Sequence, residues 1–235
     1  MTSIFAHRGA SHVEPENTVA AFRRAKELGA DGVELDVRRT ADGGLAVRHD
    51  PTLDDGRAVV GLATADLPDA VPLLAQALDA CIGAAVVNIE IKNLDTEPDF
   101  DPTERVASDL VALLDARGDL TTGQVLVSSF HLPTIDRVHE LAPSLATGWL
   151  VVDAREPAAL IERAAAHGHV ALHPHHAFVD EGLVAQAHAA SLRVNTWTVD
   201  DPDRIRGLAS LGVDGVVTND PALALRALGR ATGRK

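Results

Sequence analysis

A chain of 235 residues is long enough to bury a core without disulfide or metal staples, and 46% hydrophobic against 23% charged residues excludes intrinsic disorder. The formal charge of −13 would repel a phosphate backbone, which argues against nucleic-acid binding, since that rests on Lys and Arg. Cys81 is the only cysteine and is expected to be a small buried apolar side chain; no apolar run reaches membrane-spanning length, so no membrane insertion is expected and the cytoplasm is the expected address.

One phrase repeats along the chain: a short β-branched apolar run, a polar turn, then an Ala- and Leu-rich stretch of helical period. The runs predict strands at 3–6, 32–37, 86–91, 125–129, 147–152, 169–173, 192–197 and 214–217. Helices are predicted near 17–28, 72–80, 102–117, 132–141, 156–167, 180–190, 202–210 and 221–229. Most strand candidates are too continuously apolar for a half-exposed antiparallel sheet. Eight alternating units therefore predict an α/β fold, a single (β/α)8 TIM barrel in one domain, residues 1–235. An open dinucleotide-binding sheet would carry a Gly-rich first turn, and His7-Arg8-Gly9-Ala10-Ser11-His12 is not one. Ala41-Asp42-Gly43-Gly44 interrupts the repeat with a hairpin signal leading to Leu45–Arg48, and residues 51–70, rich in Asp, Gly and Pro, predict a short loop or cap over one barrel end.

In such a barrel the chemistry collects at the C-terminal ends of the strands. His7-Arg8, Glu34-Leu35-Asp36, His49-Asp50 and Glu90-Ile91-Lys92 all fall there. Strand side chains alternate faces, so Glu34 and Asp36 share one surface, and Glu90 and Lys92 obey the same rule on a neighbouring strand. Three crowded carboxylates repel unless a cation or protons intervene. Their all-oxygen chemistry fits one hard divalent cation, Mg2+ or Ca2+, better than zinc. His7 and His49 suit an acid–base pair for phosphodiester cleavage, one removing a proton from an attacking hydroxyl and the other protonating a leaving alkoxide. Arg8 and Lys92 are placed to neutralise phosphate oxygens.

His7-Arg8-Gly9 followed by Glu14-Pro15-Glu16-Asn17-Thr18 closely resembles the signature of glycerophosphodiester phosphodiesterases, whose barrels are of the phospholipase-C-like type. Asp31–Val37, Thr40 through His49-Asp50-Pro51, Glu90-Ile91-Lys92, Ser129-Phe130, Asn195–Val199 and Asp214–Pro221 resemble its later blocks, so the likeness spans nearly the whole chain. The resemblance implies hydrolysis of glycerophosphodiesters such as glycerophosphocholine or glycerophosphoethanolamine to sn-glycerol 3-phosphate and an alcohol. It implies acid–base roles for His7 and His49, metal ligation by Glu34, Asp36 and Glu90, and phosphate contacts from Arg8 and Lys92. The nucleophile it implies is either water or the substrate's own 2-hydroxyl. Within the signature, Thr18 or Asn17 is expected to cap a helix and Glu16 to orient Arg8 or a metal-bound water. Phe130 and Trp197 are expected to wall the substrate. About forty residues separate His49 from Glu90, a short cap that leaves head-group selectivity loose. His173-Pro174-His175-His176 is read as loop histidines rather than a metal site, with His173 the one facing the pocket. A lysophospholipase-D-like enzyme and a catalytically silent phosphodiester-binding barrel are the competing readings; oligomeric state is left open.

Overall fold

The eight sequence phrases become eight parallel strands, each followed by a helix, in a computed structural model that describes residues 1–84, 86–118 and 123–233. In chain order the first half comprises β1 (Ser3–Ala6), α1 (Val19–Leu28), β2 (Gly32–Arg39), β3 (Leu45–Val47), α2 (Leu74–Cys81), β4 (Val86–Ile91) and α3 (Arg105–Arg117). The second half comprises β5 (Val125–Ser129), α4 (Leu132–Leu141), β6 (Ala146–Val151), α5 (Pro157–Ala166), β7 (Ala171–Pro174), α6 (Glu181–Ala189), β8 (Arg193–Thr196), α7 (Pro202–Leu211), β9 (Gly215–Thr218) and α8 (Pro221–Ala227). The sheet closes because β1 pairs in parallel with both β2 and β9. β3 stands outside the barrel as an antiparallel partner of β2, the hairpin read from Ala41–Gly44.

Strand alternation sorts the residues of the closed sheet into two layers. Leu35, Ile89 and Val127 point outward and pack with Phe22, Leu74, Leu78 and Leu110. On the other side of the barrel Ile4, Leu172, Val194 and Val216 pack with Ile161, Leu183, Ile205 and Leu208. The inward layer is built around Phe5: a Cβ at Gly32 would lie 2.6 Å from its ring, and one at Gly215 would lie 2.8 Å from it. Small residues on two neighbouring strands thus let one aromatic ring fill the barrel floor, leaving the polar residues nearer the strand ends to form the upper layer.

Boundaries differ from the sequence reading where local chemistry intervenes. α1 starts at Val19 rather than 17, because Thr18 is its N-cap, accepting a bond from the Ala21 amide at 3.2 Å, and Asn17 is left-handed at φ 57°. Residues 51–70 hold two short 3-10 turns, Val59–Gly61 and Thr64–Asp66, and their Leu53 and Val59 are buried with Ala46 of β3. This small core anchors the segment to the hairpin. Cys81 is buried, as expected, and burial pushes its thiol up to about 12. Among the described residues no helix is long and apolar enough to cross a membrane.

Candidate active site

The chain leaves β1 through a sharp turn in which Arg8 and Gly9 are both left-handed, at φ 56° and 82°. A Cβ on Gly9 would lie 2.6 Å from the carbonyl carbon of Ala21, inside contact distance of rigid helix backbone. Gly9→Ala is therefore expected to destabilise the fold by about 1–3 kcal/mol, combining an unfavourable φ with a clash. Thermal denaturation checks this; a Tm equal to the parent's would show that the turn relaxes freely.

The turn aims Arg8 at the carboxylates. Its amide donates to Glu34 Oε2 at 2.9 Å, and its Nη1 donates to both carboxylate oxygens of Glu16 at 3.0 Å. Its Nε lies 3.2 Å from Asp36 Oδ2. Asn17 clamps Asp36 from a second side: Nδ2 donates to Asp36 Oδ2 at 2.8 Å, and Asn17 Oδ1 accepts the Asp36 amide at 3.3 Å. Across the strand pair Asp36 is in register with Glu90, and Lys92 Nζ donates to Glu90 Oε1 at 2.6 Å while standing 3.6 Å from Asp36 Oδ1. Glu34, Asp36, Glu90 and Lys92 are all buried.

Glu34, Asp36 and Glu90 each offer an oxygen, and these atoms lie within 4.8 Å of one another. Glu34 Oε1 and Asp36 Oδ1 are buried without a hydrogen-bond partner. Buried acceptors left unpaired are costly, and a small oxygen-seeking cation would satisfy both, so the residues present fit a hard divalent ion. Electrostatics agree. Burial, then the Asp36 and Glu90 charges, push Glu34 well above the ordinary carboxylate range. Burial likewise raises Glu90 despite Lys92. Burial alone would raise Asp36 too, but Lys92, then Arg8, outweigh it and hold that carboxyl low.

His7 Nδ1 lies 2.7 Å from Asn219 Oδ1. The Asn219 amide orientation follows from its other end, where Nδ2 donates to Asp200 Oδ2 at 2.6 Å. His7 Nδ1 therefore carries the proton and Nε2 keeps a free lone pair. Burial first, and Arg8 second, lower the pKa of His7, favouring the neutral ring. His49 is one-third exposed and its Nδ1 lies 2.7 Å from Asp50 Oδ1.

A cavity of about 190 Å3 at the C-terminal ends of the strands is lined by His7, Arg8, Glu34, His49, Glu90 and Lys92, with Phe130 and Trp197 as an aromatic wall. The two rings meet edge to face at 5.2 Å, and Trp197 Nε1 donates to the His173 carbonyl at 2.8 Å. A larger hollow of about 650 Å3 beside α3 and α4 has, among the described residues, Asp115 as its one titratable side chain and gathers no comparable chemistry there. Asp36 stands behind the first wall. Asn17 and Glu16 lie outside the cavity lining, Asn17 buried against Asp36 and Glu16 half-exposed on an adjoining polar groove, where it grips Arg8.

Three residues on or behind this wall had no role in the sequence reading. Asn88 is two residues before Glu90, so strand alternation alone places it on the inward face; its Oδ1 is buried without a partner. Asn219 and Asp200 sit some two hundred residues from His7, and nothing local signals that pairing. His173, expected to face the pocket, does so from within β7; burial, then Arg193, pull its pKa down to about 3, so it is a neutral hydrogen-bonding group against Asn195 Nδ2 at 3.0 Å.

The family model described as the glycerophosphoryl diester phosphodiesterase family matches residues 7–223. A glycerophosphodiester phosphodiesterase of Bacillus altitudinis is 32% identical, the alignment covering 96% of this chain and 98% of the relative. One from Caldanaerobacter subterraneus is also 32% identical, over 94% of this chain and 95% of its own. A phosphodiesterase of Oleispira antarctica, solved in complex with the product sn-glycerol-3-phosphate, has TM-score 0.87 at 26% identity over 97% of each chain. The Thermotoga maritima glycerophosphodiester phosphodiesterase gives TM-score 0.80 at 26% identity, over 96% of this chain and 98% of its own.

Proposed function

Because this chain belongs to the glycerophosphoryl diester phosphodiesterase family and is thus a phosphoric diester hydrolase, we propose that it cleaves small glycerophosphodiesters, such as glycerophosphocholine and glycerophosphoethanolamine, to sn-glycerol 3-phosphate and an alcohol. The observation that carries this reading is the convergence of two histidines, two cations and three carboxylates at one cavity of about 190 Å3 or directly behind its wall. Glu34, Asp36 and Glu90 would hold one divalent cation, Mg2+ or Ca2+, which when bound supplies Lewis acidity toward the phosphate oxygens.

The protein's own groups divide the remaining work. Neutral His7, with its Nε2 lone pair free, takes the proton from the attacking hydroxyl as the new P–O bond forms: water gives sn-glycerol 3-phosphate directly, whereas the substrate's glycerol 2-hydroxyl gives a cyclic phosphodiester that water opens in a second step. His49, oriented by Asp50, gives its proton to the leaving alkoxide oxygen as the old P–O bond breaks. Arg8 and Lys92 offset phosphate charge, and their contacts with Asp36 and Glu90 keep both side chains in place. Phe130 and Trp197 exclude water from the glycerol side. Glu16 and Asn17 act through others, Glu16 by fixing the Arg8 fork and Asn17 by fixing Asp36. The free, buried Cys81 suits a reducing compartment such as the cytoplasm.

The test is a panel of glycerophosphodiesters assayed for glycerol 3-phosphate release with Mg2+, Ca2+ and EDTA. Release is expected with at least one divalent ion, EDTA is expected to abolish it, and re-addition to restore it. No turnover of any member across metals and pH 6–9, or full activity in EDTA, would sink the corresponding half of the proposal.

A further inference from the structure

At the opposite end of the barrel from the cavity, a second cluster of ligand-type side chains converges. Asp136 Oδ1, on α4, lies 2.9 Å from His167 Nδ1 and 3.1 Å from His169 Nε2. The two histidines flank Gly168 in the turn between α5 and β7, and the three ligand atoms lie within 4.8 Å of one another. We propose that Asp136, His167 and His169 form a metal site for a borderline divalent transition ion of the zinc class, clamping α4 to the entry of β7.

The donor chemistry selects the ion. Two imidazole nitrogens and one carboxylate oxygen suit Zn2+, whereas Mg2+ and Ca2+ favour all-oxygen sets such as that of Glu34, Asp36 and Glu90. At zinc–ligand distances of roughly 2.0–2.1 Å, neighbouring tetrahedral ligand atoms sit about 3.3 Å apart. The two short distances here fall within a few tenths of an ångström of that spacing, so side-chain adjustment suffices. His139, one helical turn on from Asp136 along α4, stands over the same turn: a Cβ on Gly168 would lie 2.7 Å from its Nε2, and its ring centroid is 6.2 Å from that of His169. It lies beside the three-ligand set without belonging to it.

The site is also held from behind. Thr147 Oγ1, at the start of β6, lies 2.8 Å from His169 Nδ1. A hydroxyl can donate to that nitrogen while Nε2–H binds Asp136, or accept Nδ1–H while Nε2 ligates a metal, so Thr147 serves both states and fixes the ring in each. The turn itself is anchored: the His169 amide donates to Ala164 O at 3.1 Å and the Val170 amide to Thr147 O at 2.9 Å. The His169 side chain is fully buried and burial lowers its pKa, favouring the neutral ligand form, while His167 is 38% exposed and gives the ion a path in. Position at the N-terminal strand ends assigns the site to stability rather than to turnover.

The experiment strips the protein of metal with a chelator, saturates it with Mg2+ to fill the carboxylate site, and titrates Zn2+ against a chromophoric competitor. One Zn2+ equivalent is expected, with Tm raised on loading. His167→Ala and Asp136→Ala are expected to weaken it by about 100-fold and to remove the Tm rise, while Glu34→Gln keeps both. Zn2+ should also shift the ring-nitrogen NMR signals of His167 and His169, a readout that needs no variant to fold. Absence of a bound equivalent, retention of parent affinity in both His167→Ala and Asp136→Ala, or unmoved signals of both rings would overturn the proposal.

Discussion

Replacing His7 by alanine is expected to lower kcat for glycerophosphodiester hydrolysis by about 10²–10⁴-fold, the usual worth of a positioned acid or base. KM should change little, because the neutral ring carries no charge to the substrate. The expectation follows from the proton inventory: Asn219 Oδ1 can only accept, so the one proton of the neutral ring sits on Nδ1 and Nε2 is the free base. Asn219→Ala removes that constraint without touching the reacting atoms. It is expected to cost about 10–100-fold in kcat, within the range for losing a partner that orients a functional histidine. Burial and Arg8 lower the pKa of His7 while the bond it donates to Asn219 Oδ1 raises it. The rate should accordingly fall on the acid side as His7 protonates, and this limb should move to lower pH in Asn219→Ala. Single-turnover cleavage across pH checks all of this. His7→Ala activity within threefold of the parent would remove His7 from the acid–base role, and an unmoved acid limb in Asn219→Ala would separate Asn219 from it.

The barrel was legible because its signal is repeated: eight apolar runs alternating with helical stretches leave few other architectures. The carboxylates were legible for a local reason, since Glu34 and Asp36, and Glu90 and Lys92, are each two apart on a strand and alternation fixes their common face. Contacts made only when the barrel closes were not. His7 and Asn219 become neighbours because β1 pairs with β9, and the spacing of neither residue announces it. Asn17 looked like one of two possible helix caps. Thr18 takes the cap, and the left-handed backbone of Asn17 turns its side chain onto Asp36 instead. The Asp136, His167 and His169 cluster was hidden for the same reason as the His7 partner, joining a face of α4 to the turn that follows the next strand and helix, β6 and α5. The segment 51–70 read as a loop from its Asp, Gly and Pro content, yet Leu53 and Val59 supply the small core that docks it on β3.

Glu34 and Asp36 are two residues apart and proposed for the same ion, but their removal is expected to move stability in opposite directions. Glu34→Gln keeps the shape and the acceptor for the Arg8 amide, and it places an NH2 group where an unpaired oxygen faced two other carboxylates. Metal-free Glu34→Gln should therefore melt a few degrees above the metal-free parent at pH 7–8, whereas with the divalent ion present it should lose about 10³-fold in kcat against the parent assayed the same way. The sign follows from linkage. Glu34 has a folded pKa raised above its ordinary 4.5 by burial and by Asp36 and Glu90, so the stability tied to it is fully present below about pH 4.5 and is lost as pH rises through the folded value. The gain from Glu34→Gln should thus grow from acid to neutral pH. Asp36 has its pKa lowered: burial opposes, but Lys92 and Arg8 prevail, so its contribution is present above the ordinary 3.8 and lost as pH falls through the folded value. Asp36→Asn removes a charge that Arg8 and Lys92 both face, and the metal-free variant should melt below the parent at neutral pH. Paired melts in EDTA at pH 4.5 and 7.5 decide it; Tm changes of the same sign in both variants at pH 7.5 would contradict the electrostatic account of the site.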